Sequence, residues 1–186
     1  LVAAGLLDTT ITCGQAFGGD LEAVNRYSAL LAARFVAHAD ITIVALGPGI
    51  VGTATAFGHG GVAQGEALNA AAALGGTPIA ALRVSLADRR ERHVPVSHQT
   101  LTALRDVAIA PVLVAVPTLG SPADEALDRS LEEGGVWERH ERRLVPSAPL
   151  PDLRGVEVHS MGRAPADDPA FFAAAAAAGH VAAGCL

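Results

Sequence analysis

Short apolar runs alternate with segments of helical periodicity along most of this 186-residue chain. The runs are rich in β-branched residues and are bounded by Gly, Pro or Asp, so each predicts a strand. They cover residues 9–13, 40–46, 77–85, 111–116 and 156–161. Between them, apolar residues recur with the period of an amphipathic helix, most clearly over residues 21–37. This alternation predicts parallel strands joined by helical crossovers.

The expected fold is therefore α/β, with a layered, mostly parallel sheet and helices on both faces, either Rossmann-like or flavodoxin-like. At this length, residues 1–186 fit a single α/β domain. The expected helix caps are Asp20, Ser121 and Asp168, and the expected helix ends are Gly134 and Gly179. Residues 136–145 are compatible with either a helical end or an edge strand.

Composition and charge exclude several classes of function. Half of the residues are hydrophobic but only 4% are aromatic, so the core is expected to consist of Ala, Val, Leu and Ile. The thirteen cationic residues are all Arg, which excludes a Walker-type phosphate lysine and a Schiff-base lysine. The formal net charge of -6 argues against a nucleic-acid partner, since that binding requires many cations.

Cysteine content and hydropathy predict a cytoplasmic protein without a membrane partner. Cys13 and Cys185 form no disulfide framework, which fits a reducing compartment. The apolar run at 171–186 is shorter than the roughly 20 residues that span a bilayer, so it predicts a buried helix. The first residue is Leu1 rather than Met, so we expect further chain upstream and a sheet that is incomplete at this end.

Ligand-binding residues are expected in the loops that follow the strands, because ligands of parallel sheets bind at the carboxyl ends of the strands. Four such loops carry most of the Gly, Arg and His clusters, at 13–20, 47–61, 86–100 and 161–168. Their backbone N–H groups, hydroxyls and guanidinium groups favour a small anionic ligand. The candidate ligand-binding residues are Gly14, Gln15, Gly18, Gly47, Gly49, Gly52, Thr53, Thr55, Arg92, Ser97 and Arg163.

The spacing of Gly47, Gly49 and Gly52 matches the dinucleotide-binding pattern G-x-G-x-x-G. The context of the pattern does not match, because "GHGG" at 58–61 delays the next helix and no ribose-binding acid follows about 20 residues later. The sequence therefore identifies no cofactor. A glycine and threonine loop that holds one anionic group remains possible, and so does a turn in which the glycines only permit positive φ angles.

Candidate catalytic residues lie in the loop at 86–100, where His93, His98 and Asp88 could transfer protons. Ser97 is expected to cap a helix over 98–108 and is not expected to form a nucleophile and base pair with its neighbour His98. The histidine spacing matches no zinc pattern, so no metal ligand is predicted. Cys13 fits a buried core residue better than a nucleophile.

Four stretches resemble the bacterial family catalogued as domain of unknown function 3866. They are "TCGQAFGGDLEAVN", "GPGIVGTATAFGHGG", "SHQTLTAL" and "MGRAPADDPAFFAAAAAAG", and together they span nearly the whole chain. The resemblance implies a longer protein, with a β-rich segment and a further α/β portion before Leu1. Gln99 stands where the family tends to have a second histidine, and Ala54 where it tends to have glycine. The resemblance implies a fold and a pattern of motifs but no catalytic role.

Two functions remain as alternatives. The first is a small-molecule-binding α/β domain, an enzyme or a ligand-handling protein, with an anion- or phosphate-accepting crevice at the strand ends. The second is a non-catalytic interaction or scaffold protein in which the glycine loops are structural. In that case the apolar run at 171–186 would pack on another copy of the chain, giving a homo-oligomer.

Overall fold

The computed structural model describes residues 1–47, 50–53, 55–146 and 153–186. Strands and helices alternate through much of this part of the chain, which confirms the α/β class. The strands are β1 (Ile11–Cys13), β2 (Leu21–Ala23), β3 (Ile79–Ala81), β4 (Leu113–Pro117) and β5 (Glu141–Val145). The helices are α1 (Arg26–Phe35), α2 (Val62–Ala73), α3 (His98–Thr102), α4 (Ala123–Glu133) and α5 (Pro169–Ala183). A single π-helical turn, Ala103–Val107, continues α3.

All the strand pairs described are parallel, as predicted, but the strands form two small sheets. One sheet pairs β1 with β2, and the other has the order β3-β4-β5. The connection between β1 and β2 is short and is tied by Asp20, whose carboxylate accepts hydrogen bonds from the Thr10 amide at 2.8 Å and hydroxyl at 2.7 Å. Asp20 therefore holds two strands together, and Asn25 caps α1 instead through a reciprocal pair with Ser28.

Two predicted strands, at 40–46 and 156–161, do not form. Residues 40–46 pair with no other strand in the described chain, and Ile43 is 76% exposed. A β-branched run becomes a strand only where a neighbouring strand supplies hydrogen-bond partners, and this run has none. Residues 156–161 end in a tight turn in which Ser160 and Arg163 form an isolated antiparallel bridge. Positive φ angles at Met161 and Gly162 form that turn.

The core consists of aliphatic side chains around the three-stranded sheet, as the composition predicts. Its fully buried members include Val84, Leu104, Val114, Leu127 and Leu131. Helix α5 packs against β3 and β4 and buries Ala170, Phe172, Ala174 and Ala177. The predicted buried helix is thus confirmed, although it continues past Gly179 and ends at Gly184. Within the described chain, no helix has the length and apolarity required to cross a membrane.

Several predicted boundaries shift by a few residues. Helix α4 has Pro122 rather than Ser121 at its N-cap position, and it ends at Gly134 as predicted. The ambiguous segment 136–145 contains both structures, a 3-10 turn at Val136–Glu138 and then β5. Helix α2 begins at Val62, so the helix after the glycine loop does start late.

Candidate functional site

An ion-pair cluster lies immediately after β3, at the carboxyl end of that strand. The Asp88 carboxylate accepts a hydrogen bond from Arg83 Nη2 at 2.8 Å. It also accepts two from Arg90, Nε to Oδ1 at 3.0 Å and Nη2 to Oδ2 at 2.9 Å. Arg163 Nη2 lies 3.8 Å from the same Oδ2 atom. One carboxylate therefore gathers three guanidinium groups from two distant parts of the sequence.

A second carboxylate, Asp168, fixes Arg163 from the other side. Asp168 is 1% exposed and accepts hydrogen bonds from Ser85 Oγ at 2.6 Å and Arg163 Nε at 3.2 Å. The turn at Met161 and Gly162 brings Arg163 back to this position. Asp168 was predicted to cap α5, but its side chain makes no capping hydrogen bond. Ionic partners outweigh a cap here because a buried carboxylate needs compensating charge.

Asp88 is poorly suited to the predicted role of general base. Hydrogen bonds from Arg90 above all, with further ones from Arg83, hold the pKa of Asp88 far below its ordinary value. A carboxylate with so low a pKa takes up protons weakly at neutral pH. The role of Asp88 in this structure is to position the arginines.

His93 and Ser97 form a hydrogen-bonded pair at the start of α3. His93 Nδ1 lies 2.7 Å from Ser97 Oγ, and Arg92 Nε donates to His93 Nε2 at 3.4 Å. Because Arg92 can only donate, His93 Nε2 holds the lone pair and Nδ1 carries the proton. Ser97 Oγ thus accepts from His93 and also from the Gln99 amide, so His93 is not the base that would activate Ser97.

His98 and His59 extend this pair into a cluster of three imidazole rings. The ring of His98 lies 5.3 Å from that of His93 and 5.6 Å from that of His59, between centroids. Burial, then Arg83 and Arg90, lower the pKa of His93 to about 4. Burial, then His59 and Arg92, lower the pKa of His98. The His98 ring is thus close to both of the other two histidine rings.

The glycine loop folds as a small hairpin that holds His59. The Thr53 amide donates to the Gly58 carbonyl, and Gly52 forms an isolated bridge with His59. A Cβ atom on Gly52 would lie 2.7 Å from the Cβ of His59, and one on Gly61 would lie 2.9 Å from its Nδ1. The glycines at these two positions make room for His59, which is a more specific role than a permissive turn.

The predicted threonine ligands of this loop make hydrogen bonds within the hairpin. The hydroxyls of Thr53 and Thr55 lie 2.8 Å apart, and Thr53 also bonds the Gly58 carbonyl. Gly47 is exposed, and an added Cβ there would meet nothing within 4 Å. Gly49 lies outside the described residues. The hydroxyl groups are thus occupied inside the hairpin.

The loop between β1 and β2 stays apart from the arginine and histidine groups. Gly14 and Gly18 have positive φ angles, and the Gly18 amide donates to Glu22 at 3.0 Å. Gln15 is exposed. Over residues 1–47, 50–53, 55–146 and 153–186, no hydrogen bond or ion pair joins these three residues to Arg92, Ser97 or Arg163. Arg92 and Ser97 both contact His93, and Arg163 contacts Asp88 and Asp168.

Buried nitrogen atoms without a hydrogen-bond partner are concentrated in the histidine and arginine side chains described above. Five buried side-chain nitrogens in the described chain have no hydrogen-bond partner, and four of them belong to His59, Arg83 and Arg163. The fifth is Nδ1 of His140, a residue that bonds the Leu104 carbonyl through Nε2. We call His59, Arg83, Arg92, His98 and Arg163, with the residues that hold them, the arginine–histidine site.

Sequence reasoning missed His59, Arg83 and Asp168 as parts of the site. His59 is flanked by glycines in "GHGG", and that crowding of glycine around one histidine was the available signal. Arg83 reads as part of an apolar strand, and Asp168 reads as a helix cap. Their proximity comes from long-range packing of α5 on the sheet, which spacing does not reveal.

The donors at the site suit an anion better than a metal ion. No group of three or more His, Cys, Asp or Glu side chains able to hold a metal occurs within the described ranges. His93 uses both ring nitrogens within the protein. The free groups of Arg83 and Arg163 are N–H donors, which cannot coordinate a cation.

Comparisons with known proteins agree with the resemblance noted in the sequence. A family model described as "Protein of unknown function (DUF3866)" matches residues 1–179. No curated protein and no solved structure matches the chain. The match covers nearly the whole chain, and it includes all the residues of the arginine–histidine site. The chain belongs to the DUF3866 family.

Proposed function

We propose that this protein is a small-molecule-binding α/β domain whose arginine–histidine site accepts a small anion, a phosphate group above all. Three guanidinium groups, those of Arg83, Arg90 and Arg163, face only two carboxylates there. Arg92 adds a fourth cation beside His93. The excess of positive charge in a chain with a net charge of -6 favours an anionic ligand.

The unpartnered guanidinium nitrogens carry this proposal. Arg83 Nη1 and Arg163 Nη2 are both buried and make no hydrogen bond, and the only partner of Arg163 Nη2 among the described residues is the Asp88 carboxylate in an ion pair at 3.8 Å. Arg83 Nη2 binds Asp88 and Arg163 Nε binds Asp168. Leaving a buried donor without a hydrogen-bond partner costs about 1–3 kcal/mol, and more for a charged group. A phosphate oxygen is the strongest natural acceptor for such donors. The two carboxylates hold the arginines in place before the anion arrives.

The neutral histidines give the site a means of proton transfer. The lowered pKa values of His93 and His98 keep both rings uncharged at pH 7, as a general base requires. Both ring nitrogens of His93 are hydrogen-bonded, one to Ser97 and the other to Arg92, so the contribution of His93 is to orient Arg92. His98 is the better candidate for a proton acceptor. An enzymatic role on the bound anion is compatible with this arrangement.

Isothermal calorimetry and thermal shift with inorganic phosphate, sugar phosphates and nucleotides test the proposal. A ligand present at 100 times its dissociation constant should raise the free energy of unfolding by about 2.7 kcal/mol. Arg163→Lys keeps the positive charge, but one ammonium nitrogen replaces the rigid planar fork in which Nε binds Asp168 and Nη2 presents a second donor at a fixed position. We expect this variant to bind the best ligand at least tenfold more weakly.

The matched control is Arg129→Lys, on the exposed face of α4. Arg129 makes no ion pair or hydrogen bond within the part of the chain that the structure describes, so its conversion to Lys should leave affinity unchanged. If no phosphate compound shifts the wild-type melting temperature, the proposed function is wrong. Equal loss of affinity in both variants would mean that binding depends on arginine anywhere on the surface.

A second candidate function is a self-associating scaffold, which one observation favours. Of the twenty-two exposed large hydrophobic residues in the described part of the chain, thirteen lie between Phe17 and Phe57. Contiguous patches of exposed apolar side chains are typical of a protein interface, and the closeness of these residues in the sequence favours such a patch. The sequence pointed instead to the run at 171–186, but α5 already packs its apolar side against β3 and β4 of its own chain.

A further inference from the structure

His59 is buried in a position that the fold has been shaped to create. Only 5% of the residue is exposed, and it lies in the second arm of the hairpin, three residues before the start of α2. The glycines at 52 and 61 leave the space in which its backbone and ring lie. Alanine at either position would require His59 to shift, because Cβ atoms essentially never approach other atoms so closely.

Neither ring nitrogen of His59 has a hydrogen-bond partner among the described residues. An imidazole that is neutral carries one N–H donor and one lone pair. Burying both without hydrogen-bond partners is costly. The other buried histidines do better, since His93 bonds through both nitrogens and His140 bonds through one. Packing alone does not explain why a histidine stands at this position, where Leu or Phe would avoid the cost.

His59 is linked to the arginines around Asp88 through a series of neighbouring side chains. The Ser97 amide donates to the Arg83 carbonyl at 3.0 Å, and Ser97 Oγ lies 2.7 Å from His93 Nδ1. The His98 ring lies 5.3 Å from the His93 ring and 5.6 Å from the His59 ring, between centroids. Within the described residues no hydrogen bond or ion pair joins His59 to Arg83 or Arg163. A ligand that contacts both His59 and these arginines must carry a polar group several bonds away from its phosphorus.

We propose that His59 is a ligand-contacting residue that selects a phosphate ester carrying free hydroxyl groups. A hydroxyl group both donates and accepts a hydrogen bond, which matches the donor and the acceptor of a neutral imidazole. The phosphate occupies Arg83 and Arg163, and the hydroxyl end reaches His59. This inference rests on the proposed anion site, and it adds the class of molecule that the site takes.

Binding of methyl phosphate and glycerol 3-phosphate to the wild type and to His59→Phe tests the inference. The two esters have the same charged group and differ in the hydroxyl-bearing carbons. The wild type should bind glycerol 3-phosphate at least tenfold more tightly than methyl phosphate. His59→Phe, which keeps a ring but removes both nitrogens, should abolish that preference, so that the two esters bind with similar affinity.

A second measurement keeps the test valid if His59→Phe does not fold. In the wild type, glycerol 3-phosphate should shift the ¹⁵N resonances of the His59 ring, and methyl phosphate should not. His59→Gln, which retains one donor and one acceptor, should recover part of the preference for the hydroxylated ester. A metal ion added without phosphate should leave the ring resonances in place.

The outcomes separate this inference from the proposed function. If both esters bind and Arg163→Lys weakens both, but His59→Phe retains the preference, the anion site stands and the role of His59 is wrong. Equal weakening of both esters by His59→Phe would also overturn it, because His59 would then act only through the structure of the site. If neither ester binds the wild type, both the anion site and the role of His59 are overturned.

Discussion

Asp168 shows how one buried carboxylate supports the whole site. It accepts hydrogen bonds from Ser85 and Arg163 at almost complete burial, so removing its charge leaves Arg163 uncompensated. Breaking one partner of a buried ion pair costs about 3–5 kcal/mol. We expect Asp168→Asn to lower the free energy of unfolding by about 3 kcal/mol in urea denaturation.

The neighbouring carboxylate provides the control for that prediction. Asp167 is exposed and accepts only the Ala164 amide, at 2.9 Å. Asp167→Asn changes the same charge one residue away and should cost no more than about 1 kcal/mol. Similar losses in both variants would show that Asp168 acts as an ordinary helix-terminal residue and not as the anchor of Arg163.

His93 should make stability depend on pH between about 4 and 6.5. Burial, Arg83 and Arg90 lower its folded pKa to about 4, whereas the unfolded chain takes up the proton near the ordinary value of 6.5. The unfolded state then binds more protons in this window, so stability rises with pH through it and falls on acidification. The lowered pKa of His98 acts in the same direction.

The size of the effect follows from the shift, at about 1.4 kcal/mol for each unit of pKa, so His93 contributes up to about 3 kcal/mol. Urea titrations at pH 7 and pH 4.5 should show this loss in the wild type. His93→Gln, which keeps a polar side chain that does not titrate, should lose the His93 share of the dependence and retain the part that His98 contributes. An NMR titration that placed the His93 midpoint near 6.5 would contradict the prediction.

At the scale of residues, the sequence located the basic loop better than it assigned roles within it. Arg92, Ser97, His93 and His98 were predicted from one loop, and the structure brings them together. Asp88 was predicted to transfer protons. Its pairing with Arg83 and Arg90, which argues against that role, could not be inferred from residue spacing. Arg163 was selected as an anion ligand, and its link to Asp168 required the turn at 160–163.

At the scale of elements, two glycines in helices should respond to alanine in opposite directions. Gly65 in α2 lies against α3, where an added Cβ would be 2.7 Å from the Ala103 carbonyl oxygen and from Val107 Cβ. Gly65→Ala should therefore destabilise the protein by about 1–3 kcal/mol through overpacking, despite the better helix propensity of alanine.

Gly179 in α5 is the control for Gly65, because a side chain added at this helical glycine would enter open space. It is exposed inside a helix, and an added Cβ would meet nothing within 4 Å. Gly179→Ala should stabilise the protein by up to about 1 kcal/mol, because glycine is the poorer helix former. Thermal and urea unfolding of both variants would measure the two signs. Stabilisation by both would place α2 farther from the turn at Ala103–Val107 than the contacts indicate.

Helices were predicted more successfully than strands, and the reason is physical. Helix α5 satisfies its own backbone, so its alanine-rich sequence and Pro169 were sufficient to predict it. A strand needs a partner, and residues 40–46 pair with no other strand in the described chain. Conversely, β2 and β5 contain polar residues and were missed or left ambiguous, because neighbouring strands determine their pairing.

At the scale of the whole molecule, charge and apolar surface occupy different parts of the chain. The arginine–histidine site lies among residues 59–168, whereas most exposed large hydrophobic side chains lie between Phe17 and Phe57. In α1, Phe35 is 70% exposed at the end of a helix whose buried face contributes only Ala33. Exposing a face of this kind to water is unfavourable, and burying it by association lowers the free energy.

We therefore expect the protein to self-associate through the surface between Phe17 and Phe57. Sedimentation velocity over a hundredfold range of concentration should show the apparent mass increasing with concentration. Phe35→Asp and Ile43→Asp each place a charge in this surface, and each should shift the equilibrium toward monomer.

The control is Ile109→Asp, since Ile109 is equally exposed, at 73%, but lies outside the surface. A wild type that stays monomeric throughout would exclude self-association, and an equal effect of Ile109→Asp would locate it elsewhere. If phosphate binding is the same in monomer and oligomer, the two surfaces act independently, because neither Phe35 nor Ile43 belongs to the arginine–histidine site.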